Sequence, residues 1–185
     1  MYATLTGSIR SMLGFTLIEV MTVIMVAAIL LVIGVPSLTD FLADQHVRAT
    51  TSDIVAEFAF ARAKAIETSR RVYIEKTGVN WKDGWRIFVD LNDNSAYDAG
   101  EEVKHFDGLS GNIRVCSNVA DFETNIIFRP DGRIVRATIP SADDGVYVID
   151  DMNNGDVIKN KIRGLLFGLS GRVTTVTLNG QLPPC

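Results

Sequence analysis

The sequence predicts an α+β fold, with one long N-terminal helix packed on an antiparallel β domain. Three observations lead there. Phe15 to Pro36 is an apolar stretch of 22 residues, about 33 Å long as a helix and enough to cross a bilayer core. From Val47 onward, apolar residues recur at helical spacing. Past Arg71, short β-branched and aromatic runs alternate with turn signals.

The first stretch reads as a transmembrane helix over 15–36. A soluble domain of this size rarely buries a helix that is apolar all round. A secretory signal peptide fits less well, because its apolar core is shorter and ends at a small-residue site, which Gly34-Val35-Pro36 matches poorly. Glu19 interrupts the run, and a carboxylate there costs on the order of 3 kcal/mol unless it finds a partner. It lies one helical turn after Phe15 on the same face. Spacing alone leaves two readings. Glu19 pairs with an amine created by a cut between Gly14 and Phe15 in a neighbouring chain, or it snorkels or stays protonated near the interface.

Gly14-Phe15-Thr16-Leu17-Ile18-Glu19, followed by the apolar run, closely resembles the class III leader of type IV pilins and type II secretion pseudopilins. The resemblance implies a pilin-like fold with a kinked helix, and a prepilin leader over 1–14. It implies that prepilin peptidase cuts after Gly14 and methylates the amine of Phe15. It assigns Glu19 to registering each incoming subunit. The implied partners are other pilins, met through the helix, and an inner-membrane assembly platform. Arg10 is the leader's only charged residue. It gives a weak positive-inside signal that leaves everything beyond Pro36 in the periplasm.

Residues 37–71 read as the amphipathic continuation of the helix, with a kink at Gly34 and Pro36. Val47, Ile54, Phe58, Ala61 and Ala65 form the apolar stripe, while Asp44, Arg48, Asp53, Glu57 and Lys64 occupy other faces. Residues 72–185 form the β-rich domain. Its expected strands are Val72–Ile74, Trp85–Val89, Ile113–Cys116, Ile126–Phe128, Ile134–Ile139, Val146–Ile149, Ile162–Phe167 and Val173–Leu178. Pro130-Asp131-Gly132 and Asn153-Asn154-Gly155 are the clearest turns. Gly84-Trp85, the Phe88 to Glu101 segment, Phe128 to Arg133 and Gly171-Arg172-Val173 resemble the GspH/FimT group of minor pilins and pseudopilins. This implies a structural subunit of a type IV pilus or a type II secretion pseudopilus.

Chemistry offers few competitors. Counted from Asp90, the residues Asp90, Asn92, Asn94, Asp98 and Glu101 fall at the oxygen-ligand positions of a calcium loop, but Ser95 stands where glycine is wanted. The other reading is a loop whose Asn and Asp side chains bond to backbone. Asp150, Asp151 and Asp156 fit no metal template and read as a solvated turn. His46 and His105 (the latter on a strand) have no nucleophile beside them. Gly108-Leu109-Ser110-Gly111 is not a nucleophile elbow, and no phosphate or dinucleotide loop is present. The expectation is therefore no catalytic residue, no resident metal, no cofactor and no enzyme activity.

DNA is the rival partner, through Arg129, Arg133 and Arg136 near one turn and Gly171-Arg172. A chain with 18 basic and 22 acidic side chains, net −4, carries no general attraction for it. Finally, Cys116 and Cys185 are the only cysteines. On the periplasmic side they are expected to form a disulfide, anchoring a C-terminal tail to a strand.

Overall fold

Thr16 starts the first element. Its Oγ1 accepts the Glu19 N–H at 3.3 Å and its carbonyl accepts the Val20 N–H at 3.2 Å, so it caps α1, which spans Leu17–Thr68. The structure is a computed structural model that describes residues 14–136, 144–150, 161–168 and 170–178. The chain divides into two units, Met1–Asp40 and Phe41–Cys185. In the first, Leu17–Val35 is long and apolar enough to cross a membrane, and none of it is buried. The backbone of α1 is helical throughout, including Gly34 and Pro36.

In the second unit α1 obeys a different pattern. Val47, Ile54, Phe58, Ala61 and Ala65, the stripe expected from spacing, are all buried. Glu57 departs from that expectation. It too is buried, where its Oε1 accepts the Lys104 ammonium at 2.6 Å. The helix ends at Thr68, and Ser69 takes a left-handed conformation with φ 54° that turns the chain into the first strand.

Eight strands follow: β1 Val72–Lys76, β2 Gly84–Val89, β3 Glu102–Asp107, β4 Ile113–Ser117, β5 Asn125–Phe128, β6 Gly145–Asp150, β7 Lys161–Phe167 and β8 Val173–Thr177. They form two four-stranded sheets, ordered β3-β2-β1-β5 and β4-β6-β7-β8, and every pairing is antiparallel. Alternation sorts their side chains. Val72 and Ile74 of β1, Trp85, Ile87 and Val89 of β2, Val146 and Val148 of β6, and Leu165 and Phe167 of β7 join the helix stripe in one core. Within it Phe167 packs against Phe58 at 5.2 Å and Phe122 at 5.0 Å between ring centroids. The Trp81 indole donates to the Phe122 carbonyl at 2.9 Å, which satisfies a polar group inside this apolar volume.

Each sheet also has a second face. Tyr73 of β1 stacks on Phe88 of β2 at 4.9 Å, and Tyr97 meets Phe88 edge-on at 5.6 Å. On the other sheet, Tyr147, Ile149 and Ile162 form a separate buried cluster with Cys116 and Leu178 at its margin.

Most expected strands are present, with two differences. β3 carries no apolar run, because it is an edge strand with mostly exposed polar side chains. The run from Ile134 makes only a bridge to Phe128 and a Val135 N–H to Ile127 carbonyl bond of 2.8 Å, and its last residues, 137–139, lie outside the described residues. Asp150 also departs from expectation, being buried in β6 rather than solvated. Asp151 and Asp156, like the Asn153-Asn154-Gly155 turn, lie outside the described residues.

Candidate functional site

The N-terminal site is built from the start of α1. Gly14, Phe15 and Thr16 precede the helix, so the Gly14–Phe15 bond is not tied into helical hydrogen bonding. Among the described residues nothing approaches within 4 Å of where a Cβ on Gly14 would stand, and Phe15 is 82% exposed. Glu19 lies in the first turn, where the Thr16 hydroxyl accepts its backbone N–H. A carboxylate at that position also faces the positive end of the helix dipole. The fold thus presents an accessible peptide bond, an exposed aromatic and a carboxylate within two turns. The leader before Gly14 lies outside the described residues.

The Asp90 loop between β2 and β3 is organised by its own backbone. Asp90, which is fully buried, accepts the Asn94 N–H at 3.1 Å and the Ser95 N–H at 3.0 Å, one on each carboxylate oxygen. Glu101 likewise accepts Leu91 N–H at 2.8 Å and Asp98 N–H at 3.0 Å. Asn92 and Asn94 point their amide nitrogens at Asp98 Oδ2, at 2.8 and 2.7 Å, and accept the Asn94 and Ala96 N–H groups on their oxygens. These bonds tie the Asn and Asp side chains of the loop to its own backbone. Asp93 and Ser95 both adopt positive φ, 58° and 63°, within this loop. Among the described residues no three His, Cys, Asp or Glu side chains group closely enough to hold a metal. His105 stands 3.9 Å from Glu102 and 3.8 Å from Asp107.

A turn and a motif singled out in sequence meet in space. Gly132, φ 75°, and Gly171, φ 74°, approach so closely that a Cβ on Gly171 would stand 2.0 Å from the Gly132 carbonyl. Both positions therefore require glycine. Arg62 of α1 donates to that same carbonyl at 2.9 Å, which ties the two turns to the helix. Around them Arg129, Arg133 and Arg136 line one cleft, as their spacing suggested. Arg70 and Arg71, which sequence reasoning did not single out, line it as well. Asp131 stands 3.6 Å from Arg129 and 3.9 Å from Arg133, and Asp144 pairs with Arg136. Arg172 is exposed near the Gly171 turn.

Cys116, on β4, is disulfide-bonded, and Cys185 lies outside the described residues.

Comparison with known proteins bears on this architecture. No curated protein matches the chain in sequence. In structure it is similar to the type IV minor pilin FimU of Pseudomonas aeruginosa, strain PAO1, solved in two crystal forms. One gives a TM-score of 0.51 at 16% identity, covering 70% of this chain and 91% of FimU. The other gives the same score and identity, covering 72% and 90%. The shared feature is the pilin fold, an N-terminal helix packed on antiparallel sheets. The family model described as Type II transport protein GspH matches residues 50–181, from the buried helix stripe through β8. The chain belongs to the GspH family.

Proposed function

We propose that the chain is a structural subunit, a minor pilin or pseudopilin, that is anchored in the inner membrane and assembled into the filament of a type IV pilus or a type II secretion pseudopilus. One observation carries the reading. A bare apolar helix with a single carboxylate near its start is joined to a head of pilin fold. Prepilin peptidase removes residues 1–14 and methylates Phe15. The assembly platform then draws the helix out of the bilayer into a bundle of pilin helices, with the β-rich domain on the periplasmic side. There Glu19 meets the Phe15 amine of a neighbour, and the burial cost of both charges falls because each has a partner.

The reading includes a Cys116–Cys185 disulfide, since Cys185 is the only other cysteine. Cys116, Tyr147, Gly164 and Val176 share one cross-strand row from β4 to β8. Three strand spacings make about 14 Å. The seven residues after Leu178 reach about 23 Å when extended, so the tail is long enough to return to Cys116.

The deciding experiment is mass spectrometry of the membrane-purified protein. The expected N-terminus is Phe15 carrying one methyl group, and an intact Met1 in cells with active prepilin peptidase overturns the reading. Glu19→Ala should insert normally yet be recovered from sheared filaments at about a tenth of the wild-type amount, given the cost of an unpaired charge in an apolar bundle. Wild-type recovery would remove Glu19 from its assigned role.

A further inference from the structure

The arginine cleft is not explained by anchoring or processing. It is a concavity of about 1020 Å³ lined by Arg70, Arg71, Arg129, Arg133 and Arg136. These come from separate stretches of chain, two at the exit of α1 and three around the turn after β5. Five guanidiniums gathered in one place are unusual in a chain of net charge −4.

Their existing partners leave much of this charge unanswered. Asp93 stands 3.8 Å from Arg70 and is itself 78% exposed, and the contacts of Asp131 with Arg129 and Arg133 are also long. Such exposed, loosely held pairs neutralise little. Arg71 is exposed and has no ion pair with any described residue. Arg136 is the buried member, with 8% of its side chain exposed. It is held by Asp144 and lies 5.3 Å over the Phe122 ring, yet its Nε and Nη1 have no hydrogen-bond partner among the described residues. Arginine forks of this kind are shaped for carboxylate or phosphate oxygens.

The walls decide between those two. Pro130, Ile134 and Val135 supply aliphatic surface, and among the described residues no aromatic side chain lines the cleft, so unstacked bases would find no platform there. The acidic balance of the whole chain opposes a long phosphate polyanion more than a short peptide. The carboxylates already engaged, Asp93, Asp131 and Asp144, are protein carboxylates.

We propose that the cleft binds an acidic peptide segment of a neighbouring filament subunit, with Arg71 and Arg133 as its main contacts. The identity of the partner rests on the filament reading above, whereas the carboxylate chemistry does not. In a subunit with one basic cleft on an acidic body, such a contact joins two different surfaces. A head-to-tail filament requires that kind of contact.

The test uses the full-length chain in detergent and fluorescence anisotropy with two labelled probes, an alternating Glu-Ala decapeptide and a 20-base-pair DNA duplex. The peptide should bind more tightly than the duplex. Arg71→Glu/Arg133→Glu should weaken peptide binding at least about tenfold, as expected for losing two charge-assisted contacts. Arg71→Lys/Arg133→Lys, which keeps the charge but not the fork, should fall between. Unchanged melting checks that each variant is folded. Tighter duplex binding, or equal peptide binding by the charge-reversed protein, overturns the proposal. In cells, the charge-reversed variant should be largely missing from sheared filaments that contain the wild-type protein, and equal recovery overturns the proposed partner. If the wild-type protein is itself absent from filaments while still binding the peptide, the filament reading fails and the carboxylate site stands.

Discussion

One helix carries two patterns. Leu17–Val35 and the portion of α1 beyond Phe41 are continuous in backbone, yet they follow opposite rules. The first is apolar on every face and buries nothing, while the second confines its buried apolar residues to a stripe at Val47, Ile54, Phe58, Ala61 and Ala65. Their two carboxylates differ in the same way. Glu19 is exposed on the bare segment, whereas Glu57 is buried and bonded to Lys104. The head supplies its own partners, whereas the first segment has the length and apolarity of a membrane span.

The largest test of this contrast is Phe58→Ala, which should lower the unfolding free energy of the head by about 3–5 kcal/mol. The equally apolar but exposed Ile24→Ala should leave it unchanged in detergent denaturation. Equal effects would erase the distinction between the segments. Next comes Cys116→Ser, which should cost about 2–4 kcal/mol by opening a loop of about 70 residues. Thiol labelling of the denatured wild-type protein should find no free cysteine without reductant. The smallest effect is expected for Lys104→Ala, about 1–2 kcal/mol, because it strips a partly exposed partner from the buried Glu57 carboxylate. Lys104→Ala combined with Glu57→Gln should recover part of that loss, and a purely additive double variant would show that the pair is not coupled.

Sequence periodicity revealed what burial controls. The five-residue stripe was legible because one helix face meets a core, and β1, β2, β6 and β7 because their apolar side chains do. β3 was marked only by the strand expected at His105, without bounds, since Glu102, Lys104 and Asp107 on an edge strand carry no core signal. Glu57 looked solvent-facing because its partner comes from that weakly marked strand. The cleft was half legible. Arg129, Arg133 and Arg136 are neighbours in sequence, but Arg70 and Arg71 reach them only through the folding of α1 into β1. Gly132 showed as a turn signal and Gly171 as part of a family motif, and only the fold reveals that a side chain at 171 would strike the backbone carbonyl of residue 132. Gly14 and Glu19 were read from a motif resemblance, which neither burial nor packing encodes.

The placement of β1 has a mechanical consequence. It is the first strand after α1, and it lies inside its sheet with β2 on one side and β5 on the other. In the filament proposed above, tension passing from the helix along the backbone would reach β1 before any other strand. An edge strand in that position would unzip one bond at a time from a single neighbour. β1 yields only when two ladders give way together, so the head is attached to its handle at a strand that resists peeling from both sides.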